Sequence, residues 1–243
     1  MCIRDSKFPA ETIKNNIEIT EKVLNFAKEG GTKVMIFSTS EVYGKSTKFP
    51  FNEEDDIVLG PSKNARWSYA ASKLVDEFLG LAYYNQHNLP VIIVRLFNTV
   101  GIRQVGHYGM VIPRFIQQAI NEEDLTVFGD GTQSRCFCNV RDTVRGLLDL
   151  VEDDNCLGKV FNIGSSEEIS IEDLAKEVIR ITGSKSRIKY IPYEEAYSGG
   201  FEDMQRRVPD TSKIQSLVGW KSTIVLEETI REIWQHTIGE SKE

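Results

Sequence analysis

Apolar side chains recur along this chain with two periods, and the alternation between them predicts its elements. Ile13, Ile17, Thr20 and Leu24 lie on one stripe at helical spacing, so residues 10–29 read as an amphipathic helix that Gly30-Gly31 stops. A short apolar strand follows at 33–37. Residues 44–63, with Pro50, Asn52-Glu-Glu-Asp-Asp56 and Gly60-Pro61-Ser62, read as a loop over the mouth of a site. The next helix, 67–86, carries its apolar positions at Leu74, Phe78, Leu81 and Tyr84, a stripe that suits internal packing as well as a partner surface. Residues 90–97 are a continuous apolar strand of the buried parallel type. A loop with Gly101, Gly106 and Gly109 leads to a helix near 110–120, a strand at 125–128, a turn at Gly129-Asp-Gly131 and a strand at 135–139. Then come a helix at 141–152, a strand at 160–163, a helix at 171–181 with Ser170 as its N-cap, and a short strand at 187–191. Residues 206–210 are extended, and helices at 212–217 and 225–236 close the chain. Strands alternating with helices predict an α/β protein.

Composition narrows the class. The chain has 243 residues, 40% of them hydrophobic, which allows one large α/β domain or one and a half ordinary ones. A net charge of −7 and the lack of a basic run give no footprint for nucleic acid or an anionic membrane surface. No apolar run has transmembrane length and no secretory pattern opens the chain. Cys2, Cys136, Cys138 and Cys156, with His87, His107 and His236, have no spacing suited to a tetrahedral metal site. Cys136 and Cys138 alternate along one expected strand and so share a face. The reading is buried free thiols in a reducing, cytoplasmic setting.

The chemistry centres on Tyr69 and Lys73 in Arg66-Trp-Ser-Tyr-Ala-Ala-Ser-Lys73. Four residues apart on a helix, they share a face about one turn from each other. A phenol loses its proton near pH 10, and a cation held close lowers that value, so the pair can act as a general base. The same spacing is also common on solvated helix faces, and the pair alone does not decide.

The pair has company. Phe37-Ser-Thr-Ser-Glu-Val-Tyr-Gly44 precedes it at the end of an apolar run, and Val91-Ile-Ile-Val-Arg-Leu-Phe-Asn98 follows it. A strand ending in hydroxyls, a Tyr-x-x-x-Lys helix and a strand ending in Asn together resemble the extended short-chain dehydrogenase/reductase family, from about residue 7 onward. Its members modify nucleotide-diphosphate sugars with bound NAD. The resemblance implies a partial doubly wound, Rossmann-like parallel sheet with a smaller C-terminal α+β substrate domain. Residues 7–105 and 132–165 would form the NAD-binding part, and 106–131 with 166–243 the nucleotide-sugar part. Relatives begin with a strand and a Gly-rich turn under the pyrophosphate. No G-x-x-G-x-x-G precedes the Tyr-Lys helix here. About 80 residues, two to three βαβ units, are missing by that comparison. The chain then reads as the larger, C-terminal part of an enzyme, with residues 1–6 foreign to the domain.

The resemblance also assigns roles. Thr39 would hydrogen-bond the sugar's 4-hydroxyl, Tyr69 would accept its proton, and Lys73 would hold the nicotinamide ribose, with Ser38 beside the cofactor. Asn98 and Arg135 would reach the substrate diphosphate and Phe128 would border the base, with UDP as the nucleotide the resemblance implies. Helices 10–29 and 67–86 would pair with a second copy in a homodimer. Each has a plainer alternative: Thr39 as a strand-end hydroxyl serving the backbone, Phe128 as core.

Ser40 and Glu41 bear on the reaction. The Thr39-Ser40-Glu41 run looks like UDP-glucuronate decarboxylases and also occurs in GDP-mannose 4,6-dehydratases, whereas UDP-galactose 4-epimerases usually carry small or hydroxylic residues there and dTDP-glucose 4,6-dehydratases put Asp where Ser40 stands. A carboxyl beside C5 or C6 of a C4-oxidised sugar can pass a proton. Arg207, in Arg207-Val-Pro-Asp210, resembles the decarboxylase Arg that approaches the reacting sugar, and its fixed charge suits a carboxylate or a diphosphate. Against this, Gly101-Ile-Arg103 replaces the usual Gly-Pro-Arg, and the 105–109 insertion has no decarboxylase counterpart. The expectation is UDP-glucuronate decarboxylation, with 4-epimerisation or 4,6-dehydration as the runner-up. A fragment that lacks the dinucleotide fingerprint and has no activity of its own is the alternative from another class. For Glu41 the plain alternative is a solvated loop carboxylate, and for Arg207 a surface loop arginine.

Overall fold

The computed structural model describes residues 8–106, 110–196 and 204–240. The readings of residues 1–6 and of Cys2 and His107 lie outside those residues, as does most of the 105–109 insertion. In chain order the elements are α1 (Pro9–Gly30), β1 (Val34–Thr39), α2 (Arg66–His87), β2 (Val91–Leu96), β3 (Thr99–Val100), α3 (Val111–Ile120), β4 (Leu125–Phe128), β5 (Ser134–Cys136) and β6 (Cys138–Asn139). They continue with α4 (Val140–Glu152), β7 (Val160–Ile163), β8 (Glu168–Ser170), α5 (Ile171–Thr182), β9 (Ile188–Ile191), α6 (Tyr193–Ala196), α7 (Ser212–Val218) and α8 (Leu226–Glu240).

The local signals explain the boundaries. Pro9 opens α1, and Gly31 closes it in the left-handed region at φ 62. Asn139 caps α4 by accepting from the Arg141 N–H, and the Ser170 hydroxyl caps α5 by accepting from the Asp173 N–H.

β1, β2 and β7 form a parallel sheet in that order. The register pairs Thr39 with Leu96 and Leu96 with Ile163, so three strands end along one edge. Ligands of open α/β sheets sit at that edge. One face of the sheet packs Val34, Ile36, Val91 and Ile93 against Leu24 and Ala27 of α1. The other packs Ile92, Val94, Phe161 and Ile163 against Leu150, Ile214 and Trp220. Residues 212–220 therefore pack on the sheet, although the expected division put them in the second part. A separate core joins Ile112, Phe115, Leu125, Val127, Leu174, Val178, Ile230 and Ile233 from α3, β4, α5 and α8.

Two expected patterns change. The 135–139 strand breaks at Phe137: β5 pairs antiparallel with β8, while β6 pairs parallel with β3. Asn98 holds both halves, its side-chain amide donating 2.9 Å to the Cys136 carbonyl and its own carbonyl accepting 3.0 Å from the Cys138 N–H. Cys136 and Cys138 are both buried and free, but they do not share one strand face. The α2 stripe also divides. Leu74 packs with Val42, Tyr43 and Phe51, and Leu81 and Tyr84 pack toward α1 and the sheet. Phe78 is 66% exposed, because α2 turns its Ala70, Glu77 and Gly80 side inward and leaves position 78 at the margin. No described helix is long and apolar enough to cross a membrane.

Candidate active site

At the sheet edge, β1 runs into a 3₁₀ turn, Ser40–Tyr43, whose four residues are all buried. The Thr39 oxygen accepts from the Glu41 N–H at 3.2 Å, which leaves the hydroxyl hydrogen to donate elsewhere. Gly44 ends the turn at φ 59, and a Cβ there would lie 2.2 Å from the Val58 carbonyl oxygen, so only glycine fits. The turn packs against α2, which carries Tyr69 and Lys73.

Glu41 is 3% exposed and is no solvated loop carboxylate. Arg66, the first residue of α2, donates from Nη2 to Oε2 at 3.0 Å, and Arg207 donates from Nη1 to Oε1 at 2.6 Å. Arg207 is not a surface arginine either. Residues 204–210 run extended beside the loop, with the Phe51 N–H donating to the Val208 carbonyl and the Asp210 N–H to the Phe51 carbonyl, both at 2.8 Å. Burial alone would push the Glu41 carboxyl up, but nearby positive charge, that of Arg207 foremost and that of Arg66 among the rest, holds the group well below the usual carboxylate range. Among the described residues the cluster thus brings two buried guanidiniums to one buried carboxylate. The Arg207 Nε is buried and has no hydrogen-bond partner among the described residues.

On α2, the Lys73 ammonium donates to Asp76 at 2.7 Å, and Asp76 is fully buried. An ammonium has three donors, so two remain. Ser38 departs from expectation. Alternation along β1 turns it to the face opposite Thr39. There its hydroxyl donates to Glu77, which Arg95 clasps from Nε at 3.0 Å and from Nη2 at 2.8 Å. The side chain is therefore not presented to a cofactor. The Arg95 guanidinium lies 4.8 Å from the centre of the Tyr43 ring, whose hydroxyl donates to Asn162 at 2.8 Å. Burial pushes the Tyr43 phenol up to about 12, which leaves it unsuited to act as a base.

The residues expected at the nucleotide end are more dispersed. Asn98 is half-buried and spends one amide hydrogen on Cys136. Arg135 donates to the carbonyls of Ser134 at 2.7 Å and Gln205 at 3.5 Å, which ties it to the segment bearing Arg207. Phe128 lies under the Arg114 guanidinium at 4.2 Å. A cavity of about 640 Å³ opens beside the turn, lined by Lys45, Phe49, Trp67, Met204 and Arg206 among others. No group of three or more His, Cys, Asp or Glu among the described residues could hold a metal ion. Sequence reasoning missed Arg66, Asp76 and the Glu77–Arg95 pair. Arg66 stands three residues before Tyr69, yet nothing in its local run marks it as Glu41's partner.

Comparison with known proteins adds the wider context. A family model described as GDP-mannose 4,6 dehydratase matches residues 4–233. A UDP-N-acetyl-alpha-D-glucosaminuronate decarboxylase of Bacillus cytotoxicus is 42% identical over 226 residues, 93% of this chain and 70% of the relative. UDP-glucuronic acid decarboxylase 1 of Danio rerio is 35% identical over 94% of this chain, and the chain spans 52% of that relative. The structure of UDP-glucuronic acid 4-epimerase from Bacillus cereus, in complex with UDP-glucuronic acid and NAD, superposes with a TM-score of 0.82 at 27% identity, covering 93% of this chain and 68% of that one.

Proposed function

The chain belongs to the extended short-chain dehydrogenase/reductase family, in the group described as GDP-mannose 4,6 dehydratase, and from that premise we propose that it decarboxylates a UDP-linked hexuronic acid through transient oxidation at C4. Relatives of this chain carry names of decarboxylases, epimerases and dehydratases, so membership does not choose the reaction. The observation that carries the choice is the buried Glu41 between Arg66 and Arg207. Among the described residues two guanidiniums converge on this carboxylate, an environment that suits a substrate carboxylate, and the buried Arg207 Nε, which has no hydrogen-bond partner among the described residues, is a donor for it.

Thr39 hydrogen-bonds the C4 hydroxyl and Tyr69 accepts its proton, with the Lys73 ammonium stabilising the phenolate. The residues present fit the nicotinamide-ribose end of NAD, since Lys73 has two donors beyond the one given to Asp76. The chemistry that NAD would supply there, when bound, is reversible hydride acceptance at C4. The C4 ketone makes the C5–C6 bond labile: CO₂ leaves with the carboxyl carbon, its electron pair stays at C5 as an enolate, and C5 then gains a proton. An ionised Glu41 has no proton to give. Its part is to orient the two guanidiniums, and the C5 proton comes through a water beside it. Tyr69 returns its proton to the C4 oxygen at the end.

On the same reading Asn98, through its second amide hydrogen, and Arg135 bind the diphosphate, and Phe128 borders the uracil. Residues 7–105 and 132–165 serve the cofactor, and 106–131 with 166–243 the nucleotide sugar, apart from the 212–220 stretch on the sheet. A homodimer through α1 and α2 would cover Ile19, Val23, Phe26 and Phe78, all exposed.

The test offers the protein UDP-glucuronate, UDP-N-acetylglucosaminuronate, UDP-glucose and GDP-mannose in turn with NAD. Release of CO₂ from a uronate alone is the expected result. Formation of UDP-galacturonate without CO₂ would replace it with 4-epimerisation, a reading favoured by the likeness to the Bacillus cereus epimerase. Conversion of UDP-glucose to UDP-galactose, or dehydration of GDP-mannose, would remove the carboxylate reading.

A further inference from the structure

Glu41 is shared by two guanidiniums that reach it from different parts of the fold, one on each oxygen. Arg207 sits on the extended segment 204–210, on Oε1. Arg66 sits in the first turn of α2, three residues before Tyr69, on Oε2. The two side chains differ in enclosure and in the element that carries them. Arg207 carries a buried Nε with no hydrogen-bond partner among the described residues, on a segment that is extended rather than helical. Arg66 is the more enclosed, its side chain 3% exposed against 10% for Arg207. We propose that Arg66 is a positioning residue: it holds Glu41 to the helix that bears Tyr69, so that Arg207 can turn from Glu41 to the carboxylate of the substrate.

The argument is one of buried charge. A carboxylate cut off from water needs a cation and hydrogen bonds, and one left without them is strongly destabilising. Without Arg66 on Oε2, moving Arg207 toward an incoming anion would take from Glu41 both of the guanidiniums that hold it. With Arg66 fixed on Oε2, Glu41 keeps a cation throughout, and Arg207 exchanges one carboxylate for another. Attachment to α2 also keeps Glu41 in a constant relation to Tyr69, because both then move with one helix. This inference rests on the carboxylate reading proposed above, and the test keeps the two apart.

The measurement is calorimetric binding of UDP-glucuronate and of UDP-glucose, with NAD present, to the wild type, R66K and R66Q. The two ligands share a nucleotide and differ in the carboxylate, so their affinity ratio reports only the site at Glu41 and Arg207. The wild type is expected to prefer UDP-glucuronate. R66Q should lose that preference by about tenfold or more, the worth of one hydrogen bond to a charged group, while its UDP-glucose affinity stays within about twofold. R66K should recover part of the preference, since the charge returns without the planar fork. A purely structural Arg66 would weaken both ligands alike. A wild type without preference overturns the carboxylate reading and this inference with it. A wild-type preference that R66Q retains overturns the positioning role alone. If R66Q does not fold, E41Q and E41Q/R66Q replace it: equal preference in the two supports action through Glu41, and a further loss on adding R66Q refutes it.

Discussion

The Glu77–Arg95 pair lies under the strand end that carries the site, and removing one charge from it has a calculable effect. Both side chains are buried, at 4% and 6% exposure. Glu77 accepts from Arg95 at 3.0, 3.3 and 2.8 Å and also takes the Ser38 hydroxyl. In Glu77→Gln the shape is kept but the anion is lost. Arg95 then keeps one neutral amide oxygen in place of a carboxylate, beside the Glu53 carbonyl at 3.3 Å and the Tyr43 ring face, and its charge has lost its counter-ion. Breaking a buried pair by removing one partner costs about 3–5 kcal/mol. For a chain of this length each kcal/mol lowers Tm by about 2–4 °C, so the expected fall is about 6–20 °C. Calorimetry or near-UV circular dichroism against temperature reads it. The double variant Glu77→Leu with Arg95→Met should recover most of the loss, since apolar groups of similar volume often replace a buried pair at little cost. A fall below about 2 °C in the single variant, or a double variant no better than it, would refute the assignment of this pair as a buried, mutually dependent support.

Other predictions concern pH, thiols and the turn. The Glu41 carboxyl is held below its ordinary value of 4.5, so its contribution is present above that value and is lost as pH falls through the depressed one. Acid titration of stability should therefore show a steeper loss in the wild type than in Glu41→Gln. Glu53 is pushed the other way by burial and has one buried oxygen without a partner, so its contribution is largest at low pH and declines as pH rises. Stability profiles of Glu53→Gln and wild type should accordingly converge in acid and part toward neutral pH in favour of Glu53→Gln. Burial pushes the thiols of Cys136 and Cys138 up to about 12 and about 11, so neither should react with iodoacetamide at pH 8 in the folded protein, and both should after denaturation. Gly44→Ala places a methyl 2.2 Å from a backbone oxygen at positive φ and should cost about 2 kcal/mol or more in denaturant unfolding.

Much of the fold was legible in the order of the residues because its signals are local. Helical spacing, a Pro at the first turn, Gly31 and Gly183 at left-handed helix ends, and the unbroken apolar run of β2 each act within a few residues. The Tyr69–Lys73 spacing is local in the same sense. What could not be read was every decision made between distant residues. Whether Glu41 met water or cations depended on Arg66 and Arg207, 25 and 166 residues away along the chain. Ser38 turned to Glu77, and the 135–139 strand broke where Asn98 gripped both of its halves. The chain by itself determined which segments would be helix or strand and which side chains had useful chemistry. Tertiary structure alone decided which charges were buried together, because the energy of a buried charge is set by whatever partner the fold brings within hydrogen-bond reach, and no short run of sequence names that partner.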